Sequence, residues 1–187
     1  METDSRIYQD LDRILLTRDE ISAKVKEMAA RIQKDYENKE LVMIGILKGA
    51  VVFFSDLIRE IDLPVNVEFM AISSYGRSTK SSGVVRILKD LDRDVTGLHV
   101  LVVEDIVDSG LTLSYLKEVL NTRNAASVEI VTLLDKPARR RVKLDVKYSC
   151  FNIPDAFVVG YGMDYDEKYR NLPDIGVLKP CIYEKNE

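Results

Sequence analysis

Three carboxylates fall within one short stretch of the chain, Glu104-Asp105-Ile106-Val107-Asp108. They follow the most apolar run of the sequence, Leu98 to Val103, which reads as a buried strand. Glu104 and Asp105 therefore sit at the carboxyl edge of a sheet, where open α/β sheets bind ligands. Adjacent like charges repel, and burial raises their cost, so hydroxyls, a cation or a ligand must balance them. Ser109-Gly110-Leu111-Thr112 comes next and leads into a helix marked by Leu113, Leu116, Val119 and Leu120. A Gly-containing turn at a helix N-terminus offers backbone N–H groups to an anion, with Ser and Thr hydroxyls as further donors. Acids for a diol or a metal, followed by a phosphate cradle, suit a sugar phosphate. The competing structural reading is a βα turn with an Asp or Ser cap.

The elements that must position these residues alternate in type. Thr17-Arg18-Asp19-Glu20 has the pattern of a capping box, and Ile21, Val25, Met28, Ala29, Ile32 and Tyr36 recur at helical spacing after it. Leu41 to Ile46 is a continuous apolar run, as in a strand buried on both faces. Lys48-Gly49 breaks it, and Ala50 to Ile61 returns to helical spacing. Strands are predicted over Val65–Ile72, Val84–Leu88, Val128–Leu134, Phe157–Gly160 and Ile175–Leu178. The polar segment Ser73 to Gly83 has nothing to bury and reads as a long loop of the kind used as a lid. Strands alternating with helices predict an α/β fold with a mainly parallel sheet. No repeat, low-complexity tract or linker divides the chain, so a single domain is expected.

Composition narrows the chemistry. The 187 residues are 46% apolar, with 27 Lys and Arg against 31 Asp and Glu, a net charge of -4. A single histidine, His99, all but excludes a His-based triad or a multi-His metal site. It reads as a structural residue of its strand. Cys150 and Cys181 are too few and too far apart for a disulfide framework or a CxxC motif. The acidic start Met1-Glu2-Thr3-Asp4 lacks the features of a signal peptide, and no apolar run is long enough to span a membrane. A reduced cytoplasmic setting is expected. The basic run Arg139-Arg140-Arg141, with Lys143 and Lys147, reads as a solvated face or an oligomer contact.

Val102 to Thr112 resembles the phosphoribosyl pyrophosphate-binding signature of the type I phosphoribosyltransferases. Further matches are Gly45 to Ala50, Ser74-Tyr75, Leu133 to Pro137, Phe157 to Gly162 with Asp164-Tyr165, and Tyr169-Arg170. In order over about residues 5–180, they resemble the hypoxanthine (hypoxanthine-guanine) branch in its shorter bacterial form. The resemblance implies a mainly parallel central sheet flanked by helices, with a small hood or flap. Residues 1–187 would form one domain, its core over about 17–165 and its hood drawn from the N- and C-terminal segments.

The resemblance also implies an activity. It is purine salvage by magnesium-dependent transfer of ribose 5-phosphate from phosphoribosyl pyrophosphate to N9 of hypoxanthine or guanine, with release of pyrophosphate. Glu104 and Asp105 would hold the ribose hydroxyls and support Mg2+, and Asp108 would be the general base or acid at purine N7. Ser109, Gly110, Leu111 and Thr112 would surround the 5′-phosphate, and Lys48, Gly49 and Arg170 the pyrophosphate. In the family a cis peptide often precedes the residue matched by Lys48. Lys136 would donate to O6 of the base, Phe157 would stack on it, and Val158 would touch its edge through the backbone. Asp164 would serve a second magnesium site and the base pocket, while Ser74 and Tyr75 would belong to the closing lid. A homodimer or homotetramer is implied, with no nucleic-acid or membrane partner. The alternative is a non-catalytic nucleotide- or RNA-binding regulator on the same fold. Against it stand the presence of Asp108, the absence of an added domain, and the net charge of -4. A receiver domain and a Rossmann dehydrogenase fit less well. Only 83 residues follow Glu104, and there is no GxGxxG.

Overall fold

The computed structural model describes residues 6–74 and 85–184. A six-stranded sheet carries β2 (Leu41–Leu47), β3 (Val65–Ser74), β4 (Val85–Lys89), β5 (His99–Val107), β6 (Ser127–Asp135) and β7 (Tyr148–Asn152). Their order is β4-β3-β2-β5-β6-β7. All neighbours are parallel except β4, which runs antiparallel to β3. Because β3 lies on one side of β2 and β5 on the other, the chain reverses its direction of winding between β2 and β5. The carboxyl ends of those two strands diverge there and leave a crevice.

The period of two along each strand divides the core between the faces of this sheet. Met43, Leu101, Val103, Val131 and Leu133 pack with α1 (Arg18–Asp35) and α2 (Val51–Arg59). Val42, Ile44, Val100, Val102, Val128 and Ile130 pack with α3 (Leu111–Asn121). Each fully buried aliphatic chain of this kind contributes about 1.5–3 kcal/mol of transfer free energy. The capping box opens α1 as the sequence predicts: Glu20 N–H donates to Thr17 Oγ1 at 3.3 Å, and Thr17 N–H donates to Glu20 Oε2 at 2.8 Å. Asp174 adds a further acceptor at 2.8 Å from the Arg18 N–H.

A second sheet joins β1 (Leu11–Leu16), β9 (Ile175–Leu178) and β8 (Val158–Val159), all antiparallel, in the order β1-β9-β8. Leu11, Val159, Leu172 and Leu178 give it a small core of its own. The short helix α4 (Pro180–Tyr183) follows β9. This is the hood that the resemblance implies.

Three expectations shift. First, β5 does not stop at Val103; Glu104 and Asp105 lie within it, because β6 runs alongside and pairs Glu104 with Thr132 and Val107 with Asp135. Second, β1 and β7 are additional strands. β1 buries only Leu11 and shows no alternation, and β7 is a five-residue edge strand behind a basic run. Third, β3 continues through Ser73 to Ser74. Of the expected lid residues, Ser74 therefore ends a strand, and Tyr75 lies outside the described residues with most of that loop.

Replacing Thr17 by Ala removes one half of the capping box. It is expected to lower stability by about 1 kcal/mol, seen in a thermal melt as a fall in Tm of about 3 °C.

Candidate active site

The crevice between β2 and β5 holds the acidic stretch. Alternation along β5 sends Glu104 and Asp105 to different clefts. Asp105 lines a cleft of about 580 Å3 together with Asp108, Lys136, Phe157, Val158 and Asp164. Glu104 lines an adjoining cleft of about 250 Å3 with Leu47, Ser109, Gly110 and Thr112. Ile106 and Asp108 border both. Lys48 and Gly49 follow β2 directly, and the Leu47–Lys48 peptide is cis. A methyl group on Gly49 would overlap the Asp105 carboxylate as it stands, so a side chain there would have to displace that carboxylate.

Electrostatics single out the same pair. Burial, reinforced by the neighbouring Asp105 charge, pushes the Glu104 carboxyl well above the usual carboxylate range. Asp105 N–H donates to Glu104 Oε1 at 3.2 Å, and Ile106 N–H to Asp105 Oδ1 at 2.8 Å. Neither acid forms an ion pair with a lysine or arginine among the described residues. Two hard oxygen donors without a counter-cation fit Mg2+, which is commonly held by one or two carboxylates plus phosphates and water. The protein alone does not supply a full shell: among the described residues no group of three or more His, Cys, Asp or Glu is placed to hold a metal.

Past β5 the chain makes a tight turn into α3. Gly110, at φ 80°, is its N-cap, and no side chain caps the helix from that position. Leu111 N–H reaches Ser109 Oγ at 3.4 Å, leaving the next amides of the first turn for an anion.

The opposite wall comes from β6 and β8. Lys136 follows β6 and is 8% exposed. Its Nζ donates to the Ala156 carbonyl at 2.7 Å. Burial lowers its pKa, opposed by the Asp108 and Asp155 charges. Phe157 is 39% exposed, unusual for so large an apolar ring. It stacks on Tyr183 at 4.8 Å between centroids and 18° between planes, and meets Tyr165 edge-on. Val158 is buried in β8.

The rim carries the remaining expected residues. Asp164 Oδ1 pairs with Arg170 at 2.8 Å, and its Oδ2 accepts the Glu167 N–H at 2.9 Å. Arg170 also donates to the Gly162 carbonyl at 2.8 Å, and Lys48 pairs with Glu167 at 3.0 Å. Arg170 thus touches the site through Asp164 and does not line either cleft.

Within the basic run, Arg141, Lys143 and Lys147 are exposed as a solvated face would be, whereas Arg139 and Arg140 also make contacts at the site. Arg139 Nε donates to Asp108 Oδ1 at 2.7 Å, and its Nη1 lies 3.2 Å from Asp155. Arg140 turns inward to Asp135. Tyr183, Asp155 and Arg139 are cleft residues that sequence reasoning missed; only the fold brings them together. His99 Nδ1 lies 2.8 Å from Ser127 Oγ at the far end of β5.

A family model, the phosphoribosyl transferase domain, matches residues 14–166. The chain belongs to that family. Within the phosphoribosyltransferases it falls in the hypoxanthine-guanine branch. It is 53% identical over 175 residues to the hypoxanthine-guanine phosphoribosyltransferase of Bacillus subtilis, covering 94% of this chain and 97% of that one. The Mycobacterium avium enzyme of the same name is 52% identical over 182 residues, covering 94% and 90%. A crystal structure of a hypoxanthine phosphoribosyltransferase from Staphylococcus aureus superposes with a TM-score of 0.94 at 49% identity, covering 97% and 99%. Among the described residues, no helix is long and apolar enough to cross a membrane.

Glu104 holds its proton more tightly in the folded protein than unfolded. The metal-free fold therefore loses stability as pH rises from the ordinary carboxylate range towards the raised value. Glu104→Gln cannot ionise and escapes that loss. Thermal melts without magnesium should show a higher Tm for the variant, with a wider gap at about pH 8 than at about pH 5.

Proposed function

We propose that this phosphoribosyltransferase performs purine salvage, moving ribose 5-phosphate from phosphoribosyl pyrophosphate to N9 of hypoxanthine or guanine and releasing pyrophosphate. The observation that carries this reading is the placing of Asp108. It borders both the cleft that ends on the α3 N-terminus and the cleft that contains Lys136 and Phe157. A sugar phosphate in the first and a base in the second would meet beside its carboxylate.

The residue roles follow from that placing. The amides and hydroxyls of Ser109 to Thr112 take the 5′-phosphate. Glu104 and Asp105 accept from the ribose hydroxyls. Lys48, Gly49 and Arg170 take the diphosphate. Glu104 and Asp105, with Asp164 as a second carboxylate site, would hold Mg2+, which would supply charge neutralisation for the departing pyrophosphate. As the C1′–oxygen bond breaks and the C1′–N9 bond forms, positive charge develops on the ribose and the two acids stabilise it. Asp108 takes the proton from purine N7. Arg139 already holds Oδ1, and Oδ2 accepts no hydrogen bond from the described residues. Lys136 donates to O6. Adenine presents an amino donor there and is rejected, because the buried ammonium would be left facing another donor. Phe157 supplies the stacking surface, and the Val158 backbone the base-edge contact.

The same reading takes residues 1–187 as one domain, with the core over about 17–165, which lends β8 to the hood, and the rest of the hood from the two terminal segments. It assigns Ser74 and Tyr75 to a closing lid and the assembled enzyme to a homodimer or homotetramer. No observation favours the regulator, since the proposed catalytic carboxylate, cradle and base wall stand together.

Purified protein with magnesium and phosphoribosyl pyrophosphate should convert hypoxanthine to its nucleotide; binding without turnover of any 6-oxopurine would overturn the enzyme reading. Asp108→Asn should lower kcat by about 10²–10⁴, with a much smaller change in KM for phosphoribosyl pyrophosphate. Lys136→Gln should reduce kcat/KM for hypoxanthine by roughly ten- to a hundredfold and narrow the preference over adenine. An unchanged base preference would remove Lys136 from the recognition role.

A further inference from the structure

We infer that Glu167 is an internal anion that occupies the diphosphate-binding cations of the empty enzyme, so that pyrophosphate must displace it to bind and is helped by it to leave. The inference rests on the proposed roles of Lys48 and Arg170.

One carboxylate oxygen carries the contact. Glu167 Oε2 lies 3.0 Å from Lys48 Nζ and 3.4 Å from Arg170 Nη2. A single oxygen between a lysine and an arginine is the arrangement a phosphate oxygen would adopt there. Lys48 comes from 119 residues away, whereas Arg170 is a local partner three residues on, so the Lys48 contact is the one that only the fold creates. Lys48, through its hydrogen bond and then its charge, holds the Glu167 carboxyl below the usual range, with a smaller effect from Arg170.

The backbone strengthens the case. Tyr165 and Lys168 exchange both of their backbone hydrogen bonds, at 3.2 and 3.0 Å, closing a two-residue hairpin. Its turn residues are Asp166 at φ 52° and Glu167 at φ 60°. Two consecutive left-handed residues in such a turn strongly favour Asn, Asp or Gly. Asp166 meets that preference and glutamate does not. Glycine at 167 would relieve the backbone but would lack the carboxylate that reaches Lys48. The Glu167 N–H is anchored to Asp164 Oδ2, so the turn is tied to the same rim that the diphosphate must enter.

Both partners are well exposed, with side-chain exposures of 68% for Lys48 and 65% for Glu167. Exposed pairs are weak and easily exchanged. That suits a competitor that must yield to a more highly charged ligand. It also sets the size of the effect, about two- to fivefold in affinity.

The test is calorimetric titration of magnesium pyrophosphate into wild type, Glu167→Gln, Glu167→Gly, Lys48→Met and the Lys48→Met/Glu167→Gln double variant. Both Glu167 variants should bind about two- to fivefold more tightly than wild type, and pyrophosphate should become a stronger product inhibitor by the same factor. Lys48→Met should weaken binding by about tenfold, and the Glu167→Gln gain should shrink in that background. Tightening by Gln but not by Gly would assign the gain to a new amide contact and overturn the inference. Weakening by Lys48→Met with no tightening in either Glu167 variant would overturn the inference alone. Wild-type affinity in Lys48→Met would overturn the reading of Lys48 and the inference with it.

Discussion

Two neighbouring carboxylates at the end of a central strand are the constraint around which this molecule is arranged. Glu104 and Asp105 lie where β2 and β5 part, and no lysine or arginine among the described residues pairs with either. Burial then works against the ionised form of Glu104. The chain's own groups leave an electrostatic deficit there that a hydroxyl-rich, cation-bearing ligand relieves. The glycine at position 49 belongs to the same arrangement, since a side chain there would displace the Asp105 carboxylate from its place.

Strand geometry converts that deficit into a two-part site. Because side chains alternate along β5, neighbouring acids address neighbouring clefts, and Asp108 stands between them. Cations stand on the far sides of both. Lys48 and Arg170 guard one rim, and Lys136 and Arg139 the wall near Asp155. Charge is thus segregated within a chain whose net charge is only -4. The average conceals both the acidic centre and its basic surround.

Local and periodic features of the fold were legible in the sequence. The capping box at Thr17, the apolar runs of β2 and β6, and β9 depend on neighbours in the chain. The acidic stretch and its glycine turn were legible for the same reason. Features that depend on pairing partners were not. β5 outlasts its apolar run because β6 offers backbone partners as far as Asp135, and β1 is a strand because β9 pairs with it. Arg139 reads as a surface charge in the sequence, since nothing within its own segment announces Asp108, 31 residues away. Tyr183 reaches the cleft only because β9 delivers α4 beside Phe157.

The hood has a consequence for how the enzyme diversifies. Glu104, Asp105, Asp108 and the cradle stand on the six-stranded sheet, whereas Phe157 enters β8 of the other sheet, where its carbonyl accepts the Leu178 N–H at 2.9 Å. The acidic stretch and the aromatic shelf therefore rest on separate sheets, with Lys136 of the facing wall following β6 of the first. A lineage could re-cut the aromatic shelf, through β1, β9 or α4, without retooling the phosphoribosyl machinery. The fold behaves as a fixed engine with an interchangeable gauge for the ring it accepts.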